Sequence, residues 1–153
     1  MKFRVQLVIE SNDDKPGVVE EIGVFERGQL GPENLGLTLA EARELLRGLQ
    51  QAVITEQTAQ FSEEQTHCPT CGTRRARKGQ HSITFRTAFG KLSLQSPRYY
   101  QCCATPGSAK SVSPLANLLA ARTAPELVYL ESNFAGLMSY GLTVSVNTVH
   151  LKN

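Results

Sequence analysis

The chain has 153 residues, of which 41% are hydrophobic and 20% charged, a composition typical of one or two small globular modules. Charges interrupt the apolar run of residues 1–10, and no stretch approaches the roughly 20 apolar residues of a membrane helix, which argues against a signal peptide and a membrane span. We therefore expect a cytoplasmic protein, in which the four cysteines favour metal binding or redox chemistry over disulfides.

Charge is distributed unevenly along the chain. Residues 1–64 carry six Lys or Arg and twelve Asp or Glu, whereas residues 65–125 contain no acidic residue. The basic residues of that second segment are Arg74, Arg75, Arg77, Lys78, Arg86, Lys91, Arg98, Lys110 and Arg122. This segregation puts positive potential on one module and favours a phosphate-bearing partner, nucleic acid above all, over a merely solvated basic surface.

The N-terminal module, predicted to cover residues 1–64, begins with a β-hairpin. Apolar and polar residues alternate over residues 3–9, which is the period of a half-buried strand. A second β-rich run covers residues 18–26, and the residues between the two runs are typical of a turn.

A helix is predicted after this hairpin. Thr38 and Glu41 match a capping box, in which each side chain accepts a hydrogen bond from an amide at the start of the helix. Apolar residues then recur at three- and four-residue spacing, which predicts a helix from residue 39 to about residue 60. Its expected role is to cover the hairpin.

The strongest local motif is a Cys-x-x-Cys-Gly turn made by Cys68, Cys71 and Gly72. Two thiolates at this spacing can chelate one tetrahedral zinc ion, and the glycine relaxes the tight turn. A redox pair is the rival interpretation. It is disfavoured because a thioredoxin-like motif belongs to a βαβ unit, and no such unit surrounds these residues.

A second cysteine pair, Cys102 and Cys103, follows after 30 intervening residues that predict a hairpin with a turn at residues 89–91. Two cysteine turns separated by a hairpin form a zinc ribbon, which we predict over residues 65–112. The expected cofactor is a structural zinc ion. Its ligands would be Cys68, Cys71, Cys102 and Cys103.

The geometry of the second pair leaves the fourth ligand open. Adjacent residues of a strand point to opposite faces, so Cys102 and Cys103 bind one ion together only if the chain kinks locally. The Thr-Pro-Gly sequence at residues 105–107 is a candidate for that kink. Otherwise, His67 or His81 replaces one of them.

Seven basic residues are candidates for contacts with nucleic acid. They are Arg74, Arg75, Arg77 and Lys78, just after the Cys-x-x-Cys-Gly turn (the first knuckle), and Arg86, Lys91 and Arg98, on the predicted strands. We expect them to neutralise phosphates, with an affinity that falls as salt rises. Tyr99 and Tyr100 can stack on bases or pack the ribbon, and packing is favoured for at least one of them.

The remaining residues, 113–153, predict helices. Thr123 or Ala124 is expected to cap one of them, with Pro125 in its first turn and Gly141 at its end. An ordinary helical pair is favoured over the start of a helix-turn-helix. The predicted fold is therefore α+β, with an N-terminal β-hairpin and helix, a zinc-ribbon β-hairpin and C-terminal helices.

With these motifs in order, the chain resembles the N-terminal region of insertion-sequence transposases of the Kra group. The matching patches are KFRVQL at 2–7, ERG at 26–28, LTLAEA at 37–42, CPTCG at 68–72, FGK at 89–91, SPR at 96–98, VSPL at 112–115 and TAPEL at 123–127. The resemblance covers residues 1 to about 143. It implies a zinc-binding region that helps to recognise transposon ends, followed in the relatives by an RNase-H-like domain that uses three carboxylates for phosphoryl transfer.

Two departures from the family pattern bear on function. In that family the second cysteine turn usually reads Cys-x-Cys, whereas here Ala104 stands where the second cysteine of the pattern lies. The chain also leaves the pattern near Val144, so a fragment truncated before the catalytic domain is expected. The only aspartates, Asp13 and Asp14, are neighbours in a predicted turn, and a two-metal site needs carboxylates from separate elements.

The expected function follows from these points. It is a DNA-binding transposase fragment without catalytic activity of its own, which recognises transposon ends. The alternative is a zinc-stabilised module for protein interaction and self-association.

Overall fold

The protein, described by a computed structural model over residues 1–10, 17–103 and 110–137, has an α+β fold, as predicted. Its strands are β1 (Lys2–Ile9), β2 (Val18–Glu26), β3 (Arg77–Thr87), β4 (Gly90–Tyr100) and β5 (Ser111–Val112), and its helices are α1 (Leu39–Glu64), α2 (Pro114–Leu118) and α3 (Pro125–Leu137). Within these residues, no helix combines the length and apolar character needed to cross a membrane. The predicted turns at 11–16 and 105–107 and the predicted helix end at Gly141 lie outside the described residues.

Two compact units make up the chain, one from Met1 to Ile54 and the other from Thr55 onward. The boundary falls inside α1, ten residues before the position at which the composition of the sequence changes, residue 64. Helix α1 also runs to Glu64 rather than ending near residue 60.

In the first unit, β1 and β2 pair antiparallel, which confirms the N-terminal hairpin. The register shifts between Val5 and Gln6, and this irregularity lies opposite Gly23 on β2. A Cβ atom at Gly23 would come within 2.7 Å of Leu45 Cδ2 on α1. Glycine at this position therefore lets the helix approach the strand closely.

The capping box at the start of α1 is also confirmed. The Thr38 amide donates to Glu41 Oε2 over 2.8 Å, and the Glu41 amide donates to Thr38 Oγ1 over 3.2 Å. The sequence pattern did not predict that Glu41 also accepts two hydrogen bonds from Arg27, at 2.7 and 2.6 Å. The hydrogen bonds from Arg27 are the main reason that the pKa of the Glu41 carboxyl is lowered to about 2, and the hydrogen bond from the Thr38 amide lowers it further.

This pair predicts how the stability of the first unit depends on pH. A carboxyl whose pKa is lower in the folded than in the unfolded chain stabilises the fold above its unfolded pKa, near 4.5. That stabilisation is lost as the pH falls from 4.5 towards the folded value of about 2. Glu41→Gln should therefore lower the melting temperature at neutral pH, and the difference from wild type should shrink below pH 4.5.

Thermal unfolding followed by circular dichroism between pH 2.5 and pH 7 measures this effect, in roughly half-unit steps across the transition. Glu44→Gln, at an exposed position on the same helix, is the matched control. A difference between Glu41→Gln and wild type that does not change with pH would contradict the prediction.

In the second unit, β3 and β4 form the predicted ribbon hairpin. They are joined by a tight turn at Ala88 and Phe89, one residue earlier than the sequence pattern indicated. Thr87, which is buried, fixes the turn because its Oγ1 donates to the Gly90 carbonyl and accepts from the Phe89 amide. Strand β5 adds to β4 at Tyr99 and Tyr100 and was not predicted.

One face of this hairpin forms the core of the second unit. The side chains of Ile83, Leu92 and Leu94 are buried there, and α2 packs against β4 while α3 packs against β3. A short polar contact fixes the start of α2, since Ser96 and Ser113 share a hydrogen bond of 2.8 Å. Because Ser113 also donates to the Pro97 carbonyl over 3.1 Å, the buried Ser96 hydroxyl and the half-buried Ser113 hydroxyl both have partners.

Candidate metal centre

The first cysteine turn is held by its own backbone. The Cys68 amide donates to the Thr73 carbonyl, and the Gly72 amide donates to the Cys68 carbonyl, both over 2.9 Å. Gly72 has a φ of +69°, a conformation that other residues rarely adopt. The glycine after the second cysteine therefore closes the knuckle, as its position in the motif predicts.

The second pair is brought to the first by the end of β4. Because that strand ends at Tyr100, Cys102 and Cys103 follow in a bend and do not alternate across a sheet. Cys102 Sγ lies 3.4 Å from Cys71 Sγ, and Cys103 Sγ lies 4.0 Å from Cys68 Sγ. The kink that the sequence analysis requires is thus provided before Cys102.

The four sulfur atoms fit a single metal ion. All of them lie within 4.8 Å of one another, and none of the four cysteines forms a disulfide. With metal–sulfur bonds of about 2.3 Å, a tetrahedral site has sulfur–sulfur edges of about 3.8 Å. The distances of 3.4, 3.9 and 4.0 Å lie close to that value. The cluster can therefore hold a metal ion without rearrangement of the backbone.

Protonation differs between the two pairs. Hydrogen bonds from the Cys71 and Thr70 amides lower the pKa of the Cys68 thiol to about 5, and the Thr73 hydroxyl and amide lower that of Cys71. Hydrogen bonding with Cys68 raises the pKa of Cys102, and hydrogen bonding with Cys71 raises that of Cys103 to about 12. The first knuckle is thus arranged to carry negative charge, which is the form that binds metal.

The two histidines considered as ligands lie elsewhere. His67 Nδ1 is 3.2 Å from the Thr66 hydroxyl, and His81 lies within β3, opposite Ser96. Among the described residues, the cluster that can hold a metal ion consists of cysteines alone.

Three of the seven predicted basic residues line one concave surface, which we call the arginine pocket. Its lining consists of Thr66, Arg74, Arg75, Ala76, Arg77 and Tyr99. Arg75 is partly buried, and its Nη1 donates to the Gln65 carbonyl just after α1. Arg74 and Arg77 are exposed. The pocket lining therefore combines three guanidinium groups with two hydroxyl-bearing side chains, Thr66 and Tyr99.

The other four predicted basic residues are spread along the hairpin. Lys78 lies 5.5 Å from the centre of the Tyr100 ring, and Arg98 donates to the Ser111 hydroxyl over 3.4 Å. At the far end, Arg86 and Lys91 are cross-strand partners, and Arg86 forms an ion pair of 3.3 Å with Glu131 of α3. Arg86 and Lys91 therefore lie at the opposite end of the hairpin from Arg77 and Tyr99 of the arginine pocket.

The place of Thr66 and Tyr99 in this pocket was not predicted from the sequence. Thr66 precedes the first knuckle and carries no recognisable motif. Tyr99 is only 5% exposed and donates to the Ser62 carbonyl in the last turn of α1, whereas Tyr100 is 49% exposed. One of the two tyrosines therefore packs the ribbon, as the sequence analysis favoured.

The fold and the cluster together define an α+β chain whose second unit carries four cysteines that can hold a metal ion, and a concave surface lined by three arginines. Comparisons with models of known protein families, with curated proteins and with solved structures found no match to this chain.

Proposed function

We propose that the chain is a zinc-stabilised, DNA-binding module from the N-terminal part of an insertion-sequence transposase, where it recognises transposon ends. Zinc is the metal that four sulfur donors in a tetrahedron favour, since harder cations such as magnesium and calcium prefer oxygen. A closed shell of four protein ligands makes the ion structural and leaves no position for catalysis. Free thiols of this kind persist in a reducing cytoplasm.

The single observation that carries the DNA-binding proposal is the arginine pocket. Arg74 and Arg77 are exposed there, and the half-buried Arg75 lines the same surface. A DNA phosphate supplies acceptors for guanidinium groups, and their positive charge attracts it.

The transposase part of the proposal rests on the sequence patches shared with the Kra group. The proposed lack of catalysis rests on the carboxylates, because the two aspartates, Asp13 and Asp14, are adjacent and ten of the twelve glutamates precede residue 65. Strand transfer by two metal ions requires carboxylates from separate elements. The module is therefore proposed to bind DNA and to leave cutting and joining to a catalytic domain.

A double substitution tests the role of the pocket. Arg74→Gln with Arg77→Gln should weaken DNA binding and reduce the slope of log affinity against log salt by about 2, one unit for each lost phosphate contact. Binding of the zinc-loaded chain to terminal-repeat duplexes, measured by gel shift over a series of salt concentrations, gives both quantities.

Arg43→Gln with Arg47→Gln is the matched control, because it removes the same charge from exposed positions on α1. The control should leave the salt slope unchanged. Wild-type protein with zinc bound and the fold intact, but without any salt-sensitive DNA binding, would rule out the proposed function.

A second candidate function is self-association through the first unit. The hairpin there exposes large apolar side chains at Val8, Val18 and Val19, which are 56%, 63% and 56% exposed. Apolar groups this exposed on a hairpin are typical of surfaces that a partner covers. An oligomer that forms equally well in the Arg74→Gln, Arg77→Gln double variant, together with no DNA binding, would favour this function over the first.

A further inference from the structure

The outward face of the ribbon hairpin carries a continuous strip of polar side chains. The buried side chains Ile83, Leu92 and Leu94 alternate along β3 and β4 with residues that point the other way. Six of those outward residues are exposed, and we call them the polar strip: Gln80, Ser82, Thr84, Lys91, Ser93 and Gln95.

Strand register arranges these side chains in rows across the hairpin. Ser82 lies opposite Gln95, and Thr84 lies opposite Ser93. Ser82 and Ser93 share a hydrogen bond of 2.8 Å that ties the middle of the strip together. Each hydroxyl has further lone pairs, so both can still bind a ligand.

The chemistry of the strip suits nucleic-acid bases. It combines two amides and three hydroxyls with one lysine, and no acidic residue occurs anywhere between residues 65 and 125. None of the six residues of the strip is acidic, in contrast to the acid-rich first 64 residues. Amides and hydroxyls read base edges through hydrogen bonds rather than through net charge.

The dimensions also match a DNA groove. Residues 80–86 of β3 extend over about 20 Å, and the paired strands lie about 5 Å apart. The major groove of B-DNA is about 12 Å wide and admits a two-stranded β-ribbon.

Positive charge lies at both ends of the strip. At one end, the cross-strand pair Arg77 and Tyr99 belongs to the arginine pocket. At the other end, Lys91 is exposed beside the hairpin turn. The strip thus has cations at its ends and neutral hydrogen-bonding groups between them. This arrangement suits a DNA complex, in which phosphate contacts position the protein and base contacts specify the sequence.

We propose that the polar strip enters the major groove of duplex DNA, with Gln80 and Gln95 reading adenines and the arginine pocket seating a flanking phosphate. This inference rests on the proposed DNA-binding function and names the part of the surface that gives it sequence preference. Glutamine pairs with adenine through its amide oxygen and nitrogen. Arg77 donates to Gln80 Oε1 and so orients this amide, whose oxygen keeps a second lone pair for the base.

Selection from a pool of randomised duplexes tests the proposal. The zinc-loaded full chain is mixed with the pool, and the bound fraction is sequenced. Wild-type protein should enrich a motif that contains adenines. Gln80→Ala and Gln95→Ala should each lose the preference at one position of that motif by about fivefold to a hundredfold, the range for one bidentate base contact.

Binding of each variant to unselected duplex is measured in parallel, because phosphate contacts supply nonspecific affinity and the loss of base preference is read against it. Gln57→Ala, at an exposed position on α1, is the matched control and should keep the wild-type motif. Metal content and circular dichroism identify any variant that has lost its fold.

The outcomes separate this inference from the function on which it rests. A wild-type motif that survives both glutamine substitutions, or salt-sensitive binding without any base preference, overturns the role of the strip and leaves DNA binding in place. A wild-type protein that binds no duplex at any salt concentration overturns both.

Discussion

Cys68→Ser is expected to abolish metal binding and to unfold the ribbon. The side chain at this position is only 5% exposed, and its sulfur lies 4.0 Å from that of Cys103 within the four-sulfur cluster. A serine hydroxyl does not replace a thiolate ligand at neutral pH, and the binding free energy of a structural zinc ion, about 10–16 kcal/mol, is folding free energy. A variant that no longer binds the ion therefore loses a contribution comparable to the whole stability of a small domain, about 5–15 kcal/mol.

Metal analysis of the purified variant, combined with amide NMR spectra, measures both effects. Signals from residues 1–54 should remain dispersed, because this unit is compact by itself. Thr70→Ser, which changes a residue between the two cysteines but removes no sulfur, is the matched control. Full metal occupancy in Cys68→Ser would contradict a four-cysteine site.

The same experiment separates the metal centre from a redox pair. A low thiol pKa at Cys68, about 5, is common to both kinds of site. If Cys68 and Cys71 were a redox pair, wild-type protein would purify without metal, and Cys102→Ser would have little effect on the fold of the ribbon. Two observations favour the metal centre: the two cysteine pairs lie together, and the strands around them pair antiparallel rather than in a βαβ unit.

Leu115→Ala should have the second largest effect, a loss of about 2–5 kcal/mol in the free energy of unfolding of the second unit. Leu115 lies on α2, which packs against β4, and it is 1% exposed. Removing its side chain leaves a cavity that the surrounding hairpin fills only in part. Urea unfolding of zinc-saturated protein, followed by circular dichroism because the chain has no tryptophan, gives this quantity.

Leu118→Ala is its matched control. Leu118 ends the same helix and is 62% exposed, so its truncation should change the free energy of unfolding by less than about 0.5 kcal/mol. Equal losses in the two variants would show that α2 does not form the core described here.

Local features of this protein could be read from neighbouring residues. The capping box of Thr38 and Glu41 and the knuckle of Cys68 and Cys71 each depend on short spacings, because the partners are three residues apart. The two hairpins follow from alternation within single strands, and both are confirmed. These patterns also establish the α+β class.

Features that join distant residues could not be read in this way. Helix α1 reaches Glu64 although its last turns are polar, and Tyr99, 37 residues from Ser62, donates to the Ser62 carbonyl there. Arg27 was not recognised as the partner of Glu41, because nothing in the spacing of 14 residues specifies an ion pair. Both contacts depend on the tertiary fold, which brings together residues that are distant in the sequence.

The sequence by itself determined that this protein has a cysteine knuckle, a ribbon hairpin and an acid-free basic segment, since each is a property of contiguous residues. Only the tertiary structure decided that Cys102 and Cys103 both join the knuckle, because that depends on β4 ending at Tyr100. The tertiary structure also showed that the seven basic residues have different surroundings. Three arginines line one pocket, whereas Arg86 forms an ion pair with Glu131. These contacts form only once the strands have paired, and the spacing of residues along the chain does not by itself specify which strands pair.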